Sequence, residues 1–303
     1  MGRRKKGRAV SGWLVLDKPY ELGSTQAVGK VRWLFDAKKA GHAGTLDPLA
    51  TGVLPIALGE ATKTVPYVTD GGKAYRFTAK WGTRTSTDDA EGEVTASSDS
   101  RPTEKDILAA LPRFTGTIEQ VPPAFSAIKI DGKRAYAEAR AGRDVVLDAR
   151  EVEIDAFTLI ETTADTAVFE VECGKGTYIR ALARDMGEFL GCEGHVTALR
   201  RTWVEPFDET DAVTLEALEA CAGDQSALDA LLRTPLQAMD GFEELRVDAA
   251  QAARLRLGNS VIVRGRDAPI EAEDVCAVHK STLVAIGDIK HGEFHPRRVL
   301  AAL

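Results

Sequence analysis

Hydrophobic and polar positions follow two different periods along the chain, and these periods predict both strands and helices. From Lys73 to Trp81 apolar and polar side chains alternate, which is typical of a half-buried strand. Residues 169–173 repeat this alternation. Over 26–39 and 178–190 apolar residues recur at helical spacing, and a glycine follows each run. The pattern therefore indicates an α+β protein rather than an all-α or all-β one.

The stretch 41–59 breaks both periods. It contains four glycines and two prolines among small apolar residues, which predicts a loop with exacting backbone geometry rather than a helix or a long strand. Asp47 lies in this stretch, directly before Pro48. A loop aspartate before a proline is more often a turn residue or a cap than a catalyst, so the pattern alone leaves both interpretations open. Upstream, Ser24 or Thr25 is expected to cap the helix at 26–39.

Further elements are predicted in the rest of the chain. Thr103 is expected to cap a helix that ends near Leu111, with Asp106 at the capping-box position. Beyond residue 243 we expect a helix that Asp248 caps and Gly258 ends. Short runs typical of strands follow it, at 260–264, 274–279, 282–289 and 293–300.

The length and these changes of pattern predict two main domains. A chain of 303 residues corresponds to about two domains at ~150 residues each. We expect a basic N-terminal tail at 1–10, a large domain at 11–242 and a small β-rich domain at 243–303. Residues 120–150 contain six basic and four acidic residues and are expected to form an exposed insertion in the large domain. Either an arm that grips nucleic acid or an ordinary surface excursion would fit this composition.

Composition narrows the class of protein. Hydrophobic residues make up 44% of the chain, which is enough for a core, and no apolar run has the ~18 residues that a membrane span needs. No secretion signal is evident at the N-terminus, so we expect a cytoplasmic protein. The four cysteines are too far apart to form a Cys-x-x-Cys pair. We therefore expect no metal site, and His291 and His295 are expected to be solvated surface residues.

The net charge of −7 argues against a nucleic-acid partner only if it is spread evenly. Residues 205–244 contain eleven acidic residues and one basic residue, so this segment carries −10 and the rest of the chain carries +3. Binding to a polyanion depends on the local field rather than on the total charge. A basic working face is therefore possible, and a mixed solvated surface is equally compatible with these counts.

The segment 41–63 as a whole resembles the signature of the bacterial tRNA pseudouridine synthase (TruB) family. The resemblance runs in collinear order from about residue 12 to residue 203, over motifs too long for chance. The residues that carry it are Lys18-Pro19, His42, Gly44, Asp47-Pro48-Leu49-Ala50-Thr51-Gly52, Leu54-Pro55, Gly59-Glu60-Ala61-Thr62-Lys63, Lys175-Gly176-Thr177-Tyr178-Ile179-Arg180, Gly191-Cys192 and Leu199-Arg200-Arg201. One departure is Tyr20-Glu21-Leu22-Gly23-Ser24-Thr25, where the family usually follows Lys-Pro closely with Gly-x-Thr-Ser.

The resemblance implies an enzyme that converts uridine to pseudouridine at position 55 in the T-arm of tRNA. It also implies a catalytic domain of the pseudouridine synthase type, with a mixed, mainly antiparallel sheet, and a PUA-like RNA-binding domain at 243–303. The reaction leaves atoms and oxidation state unchanged, so no cofactor and no metal is expected. We further expect a monomer with no membrane association and no obligatory protein partner.

The resemblance also implies roles for particular residues. Asp47 corresponds to the catalytic carboxylate, Arg180 to the arginine that pairs with it, and Tyr75 to the tyrosine that stacks on the uracil ring. By itself Arg180 would be taken as a solvated helix residue, and Tyr75 as part of the core beside Phe77. Further residues are expected to contact the flipped base or the RNA, namely His42, Tyr178, Leu199, Lys18 and Lys63. Lys18 and Lys63 fit a structural role equally well.

Two other functions stay open at this point. A guide-RNA-dependent relative would need partner proteins, and the short C-terminal region favours a stand-alone enzyme instead. A non-catalytic RNA-binding or RNA-folding protein could keep the same fold. The joint presence of Asp47, Tyr75 and Arg180 argues against this second alternative.

Overall fold

A computed structural model describes residues 7–126, 128–130, 133–134, 136, 145, 147–265 and 269–302. The chain divides into two compact units. Unit 1 comprises Met1–Pro48, Gly52–Asp70 and Val204–Leu303, and unit 2 comprises Leu49–Thr51 and Gly71–Trp203. Within the described residues, no helix is both long enough and apolar enough to cross a membrane.

The secondary structure is mixed. The helices are α1 (Ser24–Leu34), α2 (Val65–Asp70), α3 (Glu104–Ala110), α4 (Ile179–Phe189), α5 (Leu215–Ala220), α6 (Gln225–Ala230) and α7 (Ala249–Arg256), with 3-10 turns at Gly59–Lys63, Leu111–Phe114, Glu209–Asp211 and Gln237–Met239. The strands are β1 (Gly12–Lys18), β2 (Ala40–His42), β3 (Ala50–Leu58), β4 (Lys73–Trp81), β5 (Thr83–Thr85), β6 (Val94–Ser97), β7 (Gly116–Gln120), β8 (Lys129–Ile130), β9 (Lys133–Arg134), β10 (Arg150–Thr162), β11 (Thr166–Cys173), β12 (Gly194–Val204), β13 (Phe207–Asp208), β14 (Val213–Thr214), β15 (Glu244–Arg246), β16 (Val261–Ile262), β17 (Ala272–His279), β18 (Thr282–Lys290) and β19 (Glu293–Val299).

In unit 1, β3 is the strand around which the N-terminal sheet is built. It pairs antiparallel with β1, where Leu14 faces Ile56, and also antiparallel with β2, where Gly41 faces Ala57. The prediction of a loop without a long strand over 41–59 was therefore wrong, because β3 spans nine residues. Its apolar run is buried almost throughout, and a strand covered on both faces shows no alternation that would distinguish it from a loop rich in small apolar residues.

Helix α1 differs from its prediction at both ends. Its N-cap is Gly23, whose N–H donates to the Gln26 side chain at 3.2 Å, so the expected cap at Ser24 or Thr25 was wrong. The helix ends at Leu34, before the predicted end at residue 39. Asp36 has a φ of 45°, and a residue in this left-handed region ends a helix.

Unit 2 is built on a sheet in the order β12-β4-β11-β10-β7, in which β4, β11, β10 and β7 pair antiparallel. The predicted alternation over β4 is confirmed, since every second residue from Lys73 to Trp81 is buried. Phe77 stacks on Phe169 of β11 with ring centroids 5.2 Å apart. Helices α3 and α4 are also confirmed, and Thr103 caps α3 by accepting the Asp106 N–H at 3.3 Å.

The C-terminal part of unit 1 is a five-stranded sheet in the order β15-β17-β18-β19-β16. It confirms the strands expected after residue 260, and α7 confirms the helix that Asp248 caps. The sheet and α7 enclose a buried apolar cluster that includes Leu255, Val284 and Phe294. A domain boundary at 243 stays a prediction.

Part of the predicted insertion at 120–150 lies outside the described residues. Within it, β8 pairs antiparallel with β9, and β10 begins at Arg150. Asp131, Gly132 and the segment 137–144 of this insertion are not among the described residues. The role of this insertion in gripping RNA stays a prediction.

Candidate active site

Asp47 lies on the loop that joins β2 to β3, and its side chain is half-buried. The residue before it is held by a buried serine: the Leu46 N–H donates to Ser24 Oγ at 2.8 Å, and the Ser24 hydroxyl donates to the Leu46 carbonyl at 2.7 Å. Gly44 has a φ of 82°, which a residue with a Cβ adopts only at a cost. The sequence thus fixes the backbone next to Asp47 through one hydroxyl and one glycine.

Lys18 holds the other side of the same loop. Its side chain is fully buried, and Nζ donates to the carbonyl of Pro48 at 3.2 Å, as well as to those of Pro19 and Leu22 at 2.9 and 2.7 Å. A buried ammonium is stable only when such acceptors surround it. These contacts support the structural role of Lys18, one of the two roles that the sequence left open.

Lys63 lies apart from this loop, at the end of the turn Gly59–Lys63. Its Nζ donates to Glu60 Oε2 and to the Val299 carbonyl, both at 2.6 Å. Glu60 Oε2 in turn accepts the Ala301 N–H at 2.9 Å. This cluster joins the turn to the C-terminal end of β19, so Lys63 also has structural contacts. An RNA contact by Lys63 stays a prediction.

His42 is the last residue of β2 and faces Ile56 of β3. Its side chain is half-buried. It is five residues from Asp47 in sequence, on the strand that leads into the anchored loop. Its expected place beside a flipped base stays a prediction.

In unit 2, Arg180 occupies the first turn of α4 and is only 5% exposed. The interpretation as a solvated helix residue was therefore wrong. Nη1 donates to the Thr87 carbonyl at 2.7 Å and lies 3.4 Å from Asp89 Oδ2, while Nη2 donates to the Phe125 carbonyl at 2.9 Å. A buried guanidinium fixed by several acceptors in this way has little freedom to turn.

Sequence analysis missed Asp89, which pairs with this arginine, and a second ion pair beside it, between Asp88 and Arg184. Asp88 and Asp89 are both buried, and Asp88 Oδ2 accepts from Nη1 of the buried Arg184 at 2.9 Å. Burial raises the pKa of the Asp88 carboxyl, and the positive charge of Arg184 opposes that rise. The sequence signals for these pairs were two adjacent aspartates and two arginines four residues apart. No local pattern indicates that these aspartates pair with these arginines.

Tyr178 is the N-cap residue of α4, and its backbone is held by Gln120. The Tyr178 N–H donates to Gln120 Oε1 at 2.8 Å, and the Gln120 amide donates to the Tyr178 carbonyl at 3.1 Å. Gln120 is 1% exposed, so this pair of bonds is shielded from water. The Arg150 guanidinium lies 5.1 Å from the centroid of the Tyr178 ring, within range of a cation–π contact.

The other two expected pocket residues lie on strands of the same unit. Tyr75 is on the buried face of β4, opposite Val171 of β11. Leu199 is a half-buried residue of β12, and its carbonyl accepts from Thr51 Oγ1 at 3.5 Å. The burial of Tyr75 agrees with a core residue and also with one wall of a closed pocket, so its role stays a prediction.

The described side chains offer proton transfer, nucleophilic attack and charge stabilisation. Unit 1 contains a carboxylate on an anchored loop. Unit 2, taken by itself, contains a fixed guanidinium, a buried phenol and a second tyrosine. Among the described residues, no group of three or more His, Cys, Asp or Glu side chains could hold a metal ion. A carboxylate can attack a sugar carbon or stabilise positive charge there, as in glycosidases.

Comparison with known proteins extends these observations. The family described as TruB family pseudouridylate synthase (N terminal domain) matches residues 32–179, and the tRNA pseudouridylate synthase B C-terminal domain matches residues 180–240. A protein of Mesorhizobium japonicum named tRNA pseudouridine synthase B is 57% identical over 324 residues, covering 99% of this chain and 100% of that protein. A protein of the same name from Brucella ovis is 55% identical over 323 residues, covering 100% of both.

A solved structure is similar over most of the chain. The crystal structure of a Cbf5-Nop10-Gar1 complex aligns with a TM-score of 0.73 at 26% identity, covering 93% of this chain and 79% of that chain. The α+β fold with mainly antiparallel sheets is therefore shared with that protein.

Proposed function

The chain belongs to the TruB family of pseudouridylate synthases, and from this membership we propose that it isomerises uridine to pseudouridine at position 55 in the T-arm of tRNA, with Asp47 as the catalytic carboxylate. The full-length identity with proteins named tRNA pseudouridine synthase B supports the tRNA substrate. The observation that carries the role of Asp47 is its half-buried position directly after a doubly hydrogen-bonded Leu46. A carboxylate held in this way is pre-organised for a reaction at one fixed point.

The reaction requires one bond to break and one to form at the same sugar carbon. The N1–C1′ glycosidic bond breaks, the uracil turns, and C5 joins C1′. The proton on C5 leaves and N1 takes up a proton, so atoms and charge balance without an oxidant or a reductant. Asp47 supplies the negative charge, either as a nucleophile or as the group that stabilises positive charge at the sugar.

Arg180 is assigned to the orientation of this carboxylate. A guanidinium next to a carboxylate keeps it ionised, and the burial of Arg180 removes competing water. The bonds to the Thr87 and Phe125 carbonyls hold the guanidinium in place. We assign Tyr75, Tyr178 and Leu199 to the walls around the uracil and His42 to the space that the flipped base leaves.

The target uridine has to leave its stack to reach Asp47, at a cost of a few kcal/mol. Contacts to the rest of the RNA must supply this energy, and we assign part of them to a PUA-like domain at 243–303. The enzyme is proposed to work in the cytoplasm as a monomer, without a cofactor and without an obligatory protein partner.

The experiment that tests this proposal measures tritium release from a T-arm transcript that carries uridine labelled at C5, with the purified chain and no other protein. Wild type should release tritium at the target uridine. Asp47→Asn should abolish the release while RNA affinity, measured by filter binding, stays within about twofold, because an amide is isosteric but is neither a nucleophile nor an anion. Asp99→Asn, at an exposed aspartate of unit 2, is the control and should react like wild type.

Other outcomes separate the competing functions. Wild-type binding without any release would favour an RNA-binding or RNA-folding protein. Release that appears only with an added guide RNA and partner proteins would favour a guide-RNA-dependent enzyme. Full activity of Asp47→Asn would contradict the role of Asp47 while leaving the enzyme class intact.

A further inference from the structure

Helix α4 buries two arginines on one face, and only one of them has a role in the proposed reaction. Arg180 and Arg184 are 5% and 7% exposed. They are four residues apart, so both side chains project from neighbouring turns of the same face. Like charges at this spacing repel, and a buried cation is costly unless it is paired. The burial of both guanidinium groups is therefore unfavourable unless negatively charged or polar groups pair with them.

The loop after β5 supplies the partners. Asp88 Oδ2 lies 2.9 Å from Arg184 Nη1, and Asp89 Oδ2 lies 3.4 Å from Arg180 Nη1. Two successive carboxylates of the loop thus face two successive turns of α4. The side chains of all four residues are at most 10% exposed, so the ion pairs are scarcely screened by water or salt.

Arg184 is held by hydrogen bonds from all three of its guanidinium nitrogens. Its Nη1 donates to Asp88 Oδ2, its Nε donates to Asp185 Oδ1 at 2.8 Å, and its Nη2 donates to the Val121 carbonyl at 2.7 Å. All three guanidinium nitrogens therefore have acceptors. This residue joins α4, the loop at 85–89 and the segment after β7, and the same three segments surround Arg180.

Several hydrogen bonds hold the loop that carries Asp88. Asp88 has a φ of 59°, a left-handed conformation that aspartate tolerates better than most residues. Its carbonyl accepts the Val196 N–H at 3.1 Å. Asp89 Oδ1 accepts from Thr87 Oγ1 at 2.5 Å and from the Glu91 N–H at 3.0 Å, which directs Oδ2 to Arg180.

We propose that Arg184 and Asp88 are a positioning pair for Arg180. Their ion pair locks the loop 85–89 against α4, and the loop then presents the Thr87 carbonyl and Asp89 Oδ2 to the Arg180 guanidinium. Neither residue touches the substrate in this scheme. Because Arg180 is assigned to hold Asp47, this inference rests on the proposed function.

The test compares single-turnover tritium release at saturating RNA in the full-length chain. Arg184→Gln should lower the rate constant about 10- to 100-fold, since a misplacement of about 1 Å in a supporting group can cost that much. The dissociation constant for the RNA should stay within about twofold. A residue that only stabilises the fold would lower the melting temperature or the yield without lowering the rate of the folded molecules.

Matched variants make the result specific. Arg184→Lys keeps the charge but offers a single donor group, so its rate should fall between those of wild type and Arg184→Gln. Asp88→Asn should lower the rate as Arg184→Gln does, and the double variant should be no slower than the slower single variant, because both changes break the same pair. Arg76→Gln, which breaks the exposed pair with Glu170 at 2.5 Å, is the control and should react like wild type.

A second measurement does not depend on activity. In ¹⁵N relaxation experiments the Arg180 Nε–H should be as rigid as the backbone in wild type and mobile in Arg184→Lys. The lysine variant is used because it is expected to fold even if Arg184→Gln does not. An Arg180 side chain that stays rigid, or a wild-type rate in Arg184→Gln, would overturn the inference. Absence of release from wild type would refute the proposed function instead, and the relaxation data would still decide whether Arg184 positions Arg180.

Discussion

Replacement of Ser24 by alanine should loosen the loop that carries Asp47 without touching the loop itself. The buried Ser24 hydroxyl accepts the Leu46 N–H at 2.8 Å and donates to the Leu46 carbonyl at 2.7 Å. Alanine removes both bonds and leaves a backbone donor and a backbone acceptor in a site from which water is excluded. Ser24 is 4% exposed, so solvent cannot replace the lost partner without opening the site.

The size of the effect follows from these two bonds. Each contributes about 0.5–1.5 kcal/mol net, and the loss of both gives about 1–3 kcal/mol. Alanine at this position keeps helix propensity, because Ser24 is the first residue of α1 and Gly23 is the cap. A change of about 1–3 kcal/mol shifts the local opening equilibrium about 5- to 150-fold.

Hydrogen–deuterium exchange of the Leu46 amide measures this equilibrium directly, because exchange of a protected amide reports its opening free energy. We expect the protection factor of Leu46 to fall about 5- to 150-fold in Ser24→Ala, and the rate of tritium release to fall with it. Thr25→Ala, at the exposed neighbour, is the control and should change neither. Unchanged Leu46 protection in Ser24→Ala would refute the view that this hydroxyl anchors the loop.

Two other features of the chain make independent predictions. Burial acts to raise the pKa of Glu60, but the hydrogen bonds from the Ala301 N–H and Lys63 outweigh it, so the pKa lies below its ordinary value of 4.5. Glu60 should therefore stabilise the fold above pH 4.5, and this contribution should be lost as the pH falls through its lowered pKa. The difference in urea midpoint between wild type and Glu60→Gln should consequently shrink in acid. A difference that grows in acid would contradict this reasoning. Burial also raises the pKa of three cysteine thiols. It raises the pKa to about 11 for Cys173 and Cys192 and to about 12 for Cys276. Iodoacetamide at about pH 8 should label only Cys221 in the native chain and all four cysteines after unfolding, and mass spectrometry would expose any other order of labelling.

Local patterns predicted the elements whose stability is decided locally. Strand β4 shows a period of two, and α3 carries its own capping box at Thr103 and Asp106. In both cases the residues that set the structure are within a few positions of each other. The boundaries of these elements therefore followed from the sequence to within one or two residues.

The failures occurred where distant segments decide the structure. Strand β3 has no alternation because both of its faces are covered, and one of its partners, β1, lies well upstream in the sequence. The pair of Asp88 with Arg184 spans 96 positions. Asp88 lies in a polar, turn-rich stretch and Arg184 in a helix whose other buried positions are mostly apolar. Each residue taken singly has the pattern of a solvated surface residue.

The candidate site shows a further reason why motifs are incomplete descriptions. Much of the support around Asp47 and Arg180 comes from backbone carbonyls, including those of Leu46, Pro48 and Phe125. A carbonyl belongs to every residue type, so no motif can show that it accepts a hydrogen bond from a particular side chain. What a sequence can show is the donor, and the buried donors here are Lys18, Ser24 and the arginines of α4. Substitutions at these donors leave the loop motif unchanged and alter only its support, so they separate the chemistry of the carboxylate from the structure that positions it.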